Sequence, residues 1–138
     1  MAGNKRIFIA PIFEIESIDF IDVKTKIVSM KDDFAFGEIE ADSFEVNSPF
    51  EDGVYAHEIQ CILTATKNAH DALFNKMRRQ RFIAKVVDNN NMVWLMGTLL
   101  EPLIFSWAHV GKAPAGEYHR YELTFRRNST EPLYLTIL

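Results

Sequence analysis

The chain has 138 residues, of which 48% are hydrophobic, 25% charged and 12% aromatic, with 15 Lys and Arg against 19 Asp and Glu. This length and apolar content fit one domain, residues 1–138, with a packed core, and five Pro and six Gly are too few for a fibrous or disordered chain. The single cysteine, Cys61, excludes an internal disulfide framework and paired-cysteine zinc or redox motifs. No run approaches the roughly 18 apolar residues of a membrane span, and the opening Met-Ala-Gly-Asn-Lys-Arg lacks the apolar core of a secretory signal, so a soluble intracellular protein without a membrane partner is expected.

Residues 7 to 15, rich in β-branched and aromatic side chains, predict one strand interrupted at Pro11, which cannot donate to a ladder. Residues 14 to 52 carry apolar clusters separated by acids, and read either as short strands or as a long ordered arm or extended loop. Their aromatic content argues against disorder. Pro49-Phe-Glu-Asp-Gly53 has turn chemistry. Val54 to Thr66 alternates, with Tyr55, His57, Ile59, Cys61, Leu63 and Ala65 on one face, and predicts a half-buried strand. With Thr66 or Asn68 as N-cap, Ala69, Leu73, Phe74 and Met77 recur at helical spacing, and Asp71 near the start with Lys76, Arg78, Arg79 and Arg81 toward the end suits the helix dipole. One amphipathic helix is therefore predicted near 67–79, its apolar residues facing a sheet.

Phe82 to Val87 and Met92 to Leu99 are β-prone runs joined by Asp88-Asn-Asn-Asn91, which is hairpin chemistry. The second run is apolar on both sides, Trp94 and Met96 opposite Val93 and Leu95. It reads either as a central strand covered by the helix and a second sheet, or as a strand with one face against a neighbouring subunit. Leu103 to Val110, Tyr118 to Arg126 and the final Pro-Leu-Tyr-Leu-Thr-Ile-Leu138 read as strands, with 111–116 a loop by composition. The fold class predicted is mainly β with a minor α part: an antiparallel sandwich or barrel with one flanking helix. A parallel sheet is excluded because its crossovers need more helices than this chain offers.

Residues 1 to 58 carry a net charge of −8 and residues 59 to 138 a net charge of +4. The halves either neutralise each other within the fold or present an acidic face of one subunit to a basic face of the next. The basic candidates for such an interface are Arg78, Arg79, Arg81, Arg126 and Arg127. The only dense basic run, Lys76-Met-Arg-Arg-Gln-Arg81, is short and the chain is acidic, so direct nucleic-acid recognition is not predicted.

Signatures for dinucleotides, P-loop phosphates and zincin metals are missing from the sequence, and the four histidines, His57, His70, His109 and His119, show no ligand spacing. Asp88-Asn-Asn-Asn91 has the oxygen density of a calcium loop, but Met92 occupies the third ligand position. No metal, cofactor or catalytic residue is therefore assigned. Cys61, between Ile59 and Leu63 on the apolar strand face, reads as a small buried hydrophobe rather than as a nucleophile paired with a distant histidine.

The stretch Arg81-Phe-Ile-Ala-Lys-Val-Val-Asp-Asn-Asn-Asn-Met-Val-Trp-Leu-Met-Gly-Thr-Leu-Leu-Glu-Pro-Leu-Ile-Phe-Ser106, followed by Gly116-Glu-Tyr-His-Arg-Tyr-Glu-Leu-Thr-Phe-Arg-Arg-Asn-Ser-Thr-Glu-Pro-Leu-Tyr-Leu135, resembles small prophage proteins of Bacteroidetes type. The shared features are an Asp/Asn hairpin tip, a Trp-Leu-x-Gly step, a Pro-Leu-x-Phe strand and a Tyr-x-Leu-x-Phe strand before Pro-x-Tyr, over little more than the C-terminal 60 residues. The resemblance implies a non-enzymatic virion component, such as a tail tube, tail terminator or head–tail connector subunit. It also implies a homo-oligomeric ring, other virion proteins as partners, and a passage from cytoplasm to virion. The competing readings are a small-ligand or carbohydrate-binding β-domain that stacks ligands on Trp94, Trp107 and Tyr118, and, more remotely, a Cys61 hydrolase.

Overall fold

The computed structural model describes residues 5–32, 34–66, 70–112 and 118–138. Strand β1 (Arg6–Pro11) stops at the proline, one 3-10 turn follows over Ile12–Glu14, and the chain resumes as β2 (Ile15–Phe20), so the interruption falls where Pro11 withdraws its donor. Among the described residues β2 pairs only with β3 (Lys26–Met30), in a separate two-stranded sheet. β4 (Gly37–Ile39), β5 (Ser43–Asn47) and β6 (Phe50–Glu51) complete the acidic stretch as short strands, β4 beside β1 and the other two beside β7 (Val54–Thr66). Asp52 and Gly53, at φ 53° and 82°, make the two-residue turn from β6 into β7, the backbone form that matches strand twist and favours Asp-Gly.

The helix α1 covers Asp71–Met77. Of the predicted start, residues 67–69, with Asn68 and Ala69, lie outside the described residues, while Thr66 is the last residue of β7 and not a helix cap. His70 takes the N-cap position without a side-chain cap bond. Phe74 is buried and Met77 packs against the core, but Leu73 is 52% exposed, contrary to its predicted place on the sheet. The cause is the roll of this short helix. Asp71 Oδ1 accepts a bond from the Tyr121 hydroxyl at 2.9 Å, which draws the Asp71 side toward the sheet and turns Leu73, on the far side of Phe74, to solvent.

β8 (Arg81–Val87) and β9 (Val93–Met96) form the predicted hairpin. Asp88 organises its tip, Oδ1 accepting from the Asn90 and Met92 amides and Oδ2 from Trp94 Nε1, with Asn91 at φ 62°. β10 (Leu103–Lys112), β11 (Tyr118–Ser129) and β12 (Tyr134–Thr136) follow; 113–117, the body of the expected loop, lies outside the described residues. Ten of the described strands join one antiparallel sheet, ordered β12-β9-β8-β10-β11-β7-β5 with β1, β4 and β6 alongside. The architecture is mainly β with one helix, as the alternating patterns predict.

That sheet forks at β8. One edge of β8 pairs along its length with β1, while the other pairs first with β10, at Arg81 and Phe82, and then with β9, from Ala84 to Val87. The two branches face each other across one apolar cluster: Ile7, Ala84, Val86 and Met96 from one, Ile59, Cys61, Leu123 and Phe125 from the other, with Phe105 and Tyr121 between them. α1 closes the cluster at one end, Phe74 meeting Phe105, Trp107 and Tyr121 at ring distances of 5.2–6.1 Å. The back of β8 and β9, with Ile83 and Leu95, is covered by the β2–β3 hairpin through Ile18, Val28 and Met30. β9 is therefore a covered strand with both faces apolar, but the helix lies over β10 and β11 instead of β9. Among the described residues no helix is long and apolar enough to cross a membrane.

Candidate functional site

The branch β10–β11–β7–β5 has its core face inside and its other face open. Alternation along four strands puts Ile104, Ser106, Thr124, Arg126, Glu58, Gln60, Glu45 and Asn47 outward, because their chain neighbours Phe105, Phe125, Ile59 and Val46 point into the core cluster. Register then builds one row across five strands: Arg81 opposite Ile104, Ile104 opposite Arg126, Arg126 opposite Glu58, Glu58 opposite Asn47. A groove of about 730 Å³ follows Ile104, Arg126, Glu58 and Asn47 and continues to Pro49, Ala56 and Asn128. Ile104, 39% exposed, stands at its β10 end.

The five arginines singled out from the sequence fall in three places. Arg81 and Arg126 flank Ile104 on the open face. Arg78 and Arg79 are exposed just beyond α1, Arg78 lying over the Trp107 ring at 5.5 Å. Arg127, opposite His57 in register, springs from the other face of β11 and contributes to the groove rim. Neither Arg81 nor Arg126 makes an ion pair among the described residues; Arg81 Nη1 donates to the Gln80 carbonyl at 3.2 Å. Ile104, Glu58 and Asn47 escaped the sequence reading. Alternation shows which face a residue takes, not which residue of a distant strand stands opposite.

Beneath the groove a buried polar chain ties three segments. His57, 2% exposed, donates from Nε2 to the Glu131 carbonyl at 2.9 Å; that carbonyl can only accept, so Nδ1 is the acceptor of the Ser48 hydroxyl at 2.6 Å. Burial holds the imidazole below its ordinary range, opposed by the Glu131 bond and the charge of Glu101. Glu131 also accepts from Lys26 Nζ at 3.3 Å, and that ammonium lies 4.7 Å and 4.4 Å from the Phe20 and Tyr134 ring centres. Glu101 Oε1 accepts from the Ser129 hydroxyl at 3.0 Å. These bonds join the β2–β3 hairpin, β7 and the turn before β12. Ser48 and His57 meet from residues nine apart, with a β-turn between them, a link no sequence motif announces.

Trp94 and Trp107 both turn into the interior cluster, and Tyr118's side chain lies outside the described residues, so the described positions do not assemble the three as an outer platform. Cys61 is fully buried, and burial pushes its thiol up to about 12, far from a thiolate at neutral pH. The Asp88 carboxylate spends its oxygens on three N–H donors of its own hairpin. Among the described residues no group of three or more His, Cys, Asp and Glu is placed to hold a metal. Neither a protein-family model, nor a curated protein, nor a solved structure matches this chain.

Proposed function

We propose that this chain is a non-enzymatic structural subunit that works by homo-oligomeric assembly into a ring. It would be a virion component of the tail tube, tail terminator or head–tail connector kind that its C-terminal pattern resembles, made in the cytoplasm and built into a particle with other virion proteins. The observation that carries the reading is how the opposed charges lie in the fold. The acids Glu38, Glu45, Glu51 and Asp52 are exposed on or beside the edge strands β4, β5 and β6, while Arg78 and Arg79 are exposed beyond α1. Edge strands offer unpaired backbone groups, and opposite charges orient an approaching copy. Large apolar side chains supply the rest: Phe20 is 53% exposed, Phe50 58%, Val23 86% and Leu100 91%.

Light scattering at low and high salt tests this reading. Wild type should assemble more slowly at high salt, because rim charges govern encounter, and Arg78→Glu/Arg79→Glu should slow it at low salt. A chain that stays monomeric at every concentration and never joins particles or tubes would remove the proposal.

A further inference from the structure

The four-stranded branch β10–β11–β7–β5 has two open edges. β5 ends the sheet, with β7 on one side and no strand on the other among the described residues. At the far side of the branch β10 has β11 along one edge, but β8 holds its second edge only at Leu103 and Ile104 before pairing with β9. Phe105 to Ala108 are thus left without a strand partner there among the described residues. Each open edge is a row of backbone donors and acceptors at ladder spacing. Three antiparallel steps separate β10 from β5, so the two strands run in opposite directions. A copy laid beside the first in the same orientation therefore sets its β5 antiparallel to β10, and the alternation of strands continues across the boundary. The pleat continues too, because register puts Ser43, Glu45 and Asn47 on the face of Ser106 and Ala108, and Phe44 and Val46 on the face of Phe105 and Trp107.

Charge selects which edges match. The β5 edge carries exposed carboxylates, Glu45 in its middle and Asp42 just before it, whereas the β10 edge lies beside the exposed Arg78 and Arg79, Arg78 standing over the Trp107 ring at 5.5 Å. None of these four is in an ion pair among the described residues. Two β5 strands brought together about a two-fold axis would set Glu45 against Glu45, and two β10 edges would set arginine against arginine, both unfavourable. We propose that the β5 edge of one copy pairs with the Phe105–Ala108 edge of β10 in the next, extending one antiparallel sheet from subunit to subunit. This inference rests on the self-assembly reading and supplies its contact. Because the two edges differ, the contact is heterologous, and a row of copies closes as a ring where its rotation permits.

Hydrogen exchange read by mass spectrometry, on the full chain below and above its assembly concentration at low salt, tests the contact alongside Glu45→Arg, Arg78→Glu/Arg79→Glu and the three changes combined. The changed side chains are exposed, and unchanged circular dichroism and melting temperature verify folding. On assembly, peptides from 43–47 and from 105–108 should both exchange at least about tenfold more slowly, since amides that faced water enter a ladder. Glu45→Arg and the double arginine change should each raise the concentration needed for assembly at least about tenfold, and the combination should recover it, because the reversed charges meet again across the same contact. Assembly that slows exchange in only one of the two strands or in neither, or that the combined variant fails to recover, overturns the edge contact and leaves self-assembly standing. A chain that is monomeric at every concentration overturns both.

Discussion

Cys61 owes its chemical quiet to its place in the β7 alternation, between Ile59 and Leu63 on the side that meets Leu123 across the ladder. With its thiol held near 12, the native protein should react with a thiol reagent only as fast as it unfolds, and denaturant should bring the rate to that of a free cysteine. Fast labelling of the native state would contradict the burial. His57 gives a pH dependence whose sign is fixed. Its folded form is held below the ordinary 6.5 by burial, so the unfolded chain binds the extra proton as pH falls below that value and the folded chain does not. Stability is thus full above about pH 6.5 and declines as pH drops toward the folded value. Melting temperature against pH should fall more steeply through this range in wild type than in His57→Gln, before carboxylates such as Glu38 and Asp88, which hydrogen bonds hold below their usual range, begin to titrate. Identical slopes would refute the assignment.

At the level of elements, α1 acts as a plug rather than a lid, because Phe74 is its one buried residue and the aromatic rings of β10 and β11 close around it. Phe74→Ala should cost about 3–5 kcal/mol, the usual range for emptying a buried aromatic site. Leu73→Ala, at an exposed position, should cost within about 0.5 kcal/mol. Chemical denaturation of the two variants separates this roll of the helix from the predicted one, in which both losses would be large. Gly97 ends β9 at φ +95°, and an added Cβ would lie 3.2 Å from Ile83 Cδ1, so Gly97→Ala should lower stability by about 1–3 kcal/mol. The β8–β9 hairpin, β7 and β11 were legible because period-two alternation and a loop of Asp and Asn are local signals. The fork at β8, the β2–β3 cover and the row of Arg81, Ile104 and Arg126 were not, since each depends on pairings between residues 20 or more apart in sequence. Leu73 was misplaced for the same reason: helical spacing marks an apolar stripe, and the Asp71–Tyr121 bond chooses which edge of it faces in.

For the whole molecule, the surplus of apolar and aromatic residues is divided between two packing jobs and a surface. Most of it fills the cluster between the branches, a smaller part holds the β2–β3 hairpin on the back of β8 and β9, and what remains outside is concentrated near edges and turns that also carry charge. The −8 and +4 of the two halves are not cancelled by internal pairing: among the described residues the Lys or Arg ion pairs are Arg6 with Glu38, both in the acidic half, and Lys26 with Glu131, and neither sets an acid of the first half against a base of the second. The proposed self-assembly sets this surface against further copies of the chain, and the subunit count is its direct measure. On that proposal, native mass spectrometry across a concentration series at low salt should give species at multiples of 15.9 kDa that grow with concentration. A single 15.9 kDa species at the highest concentration attainable would contradict the account.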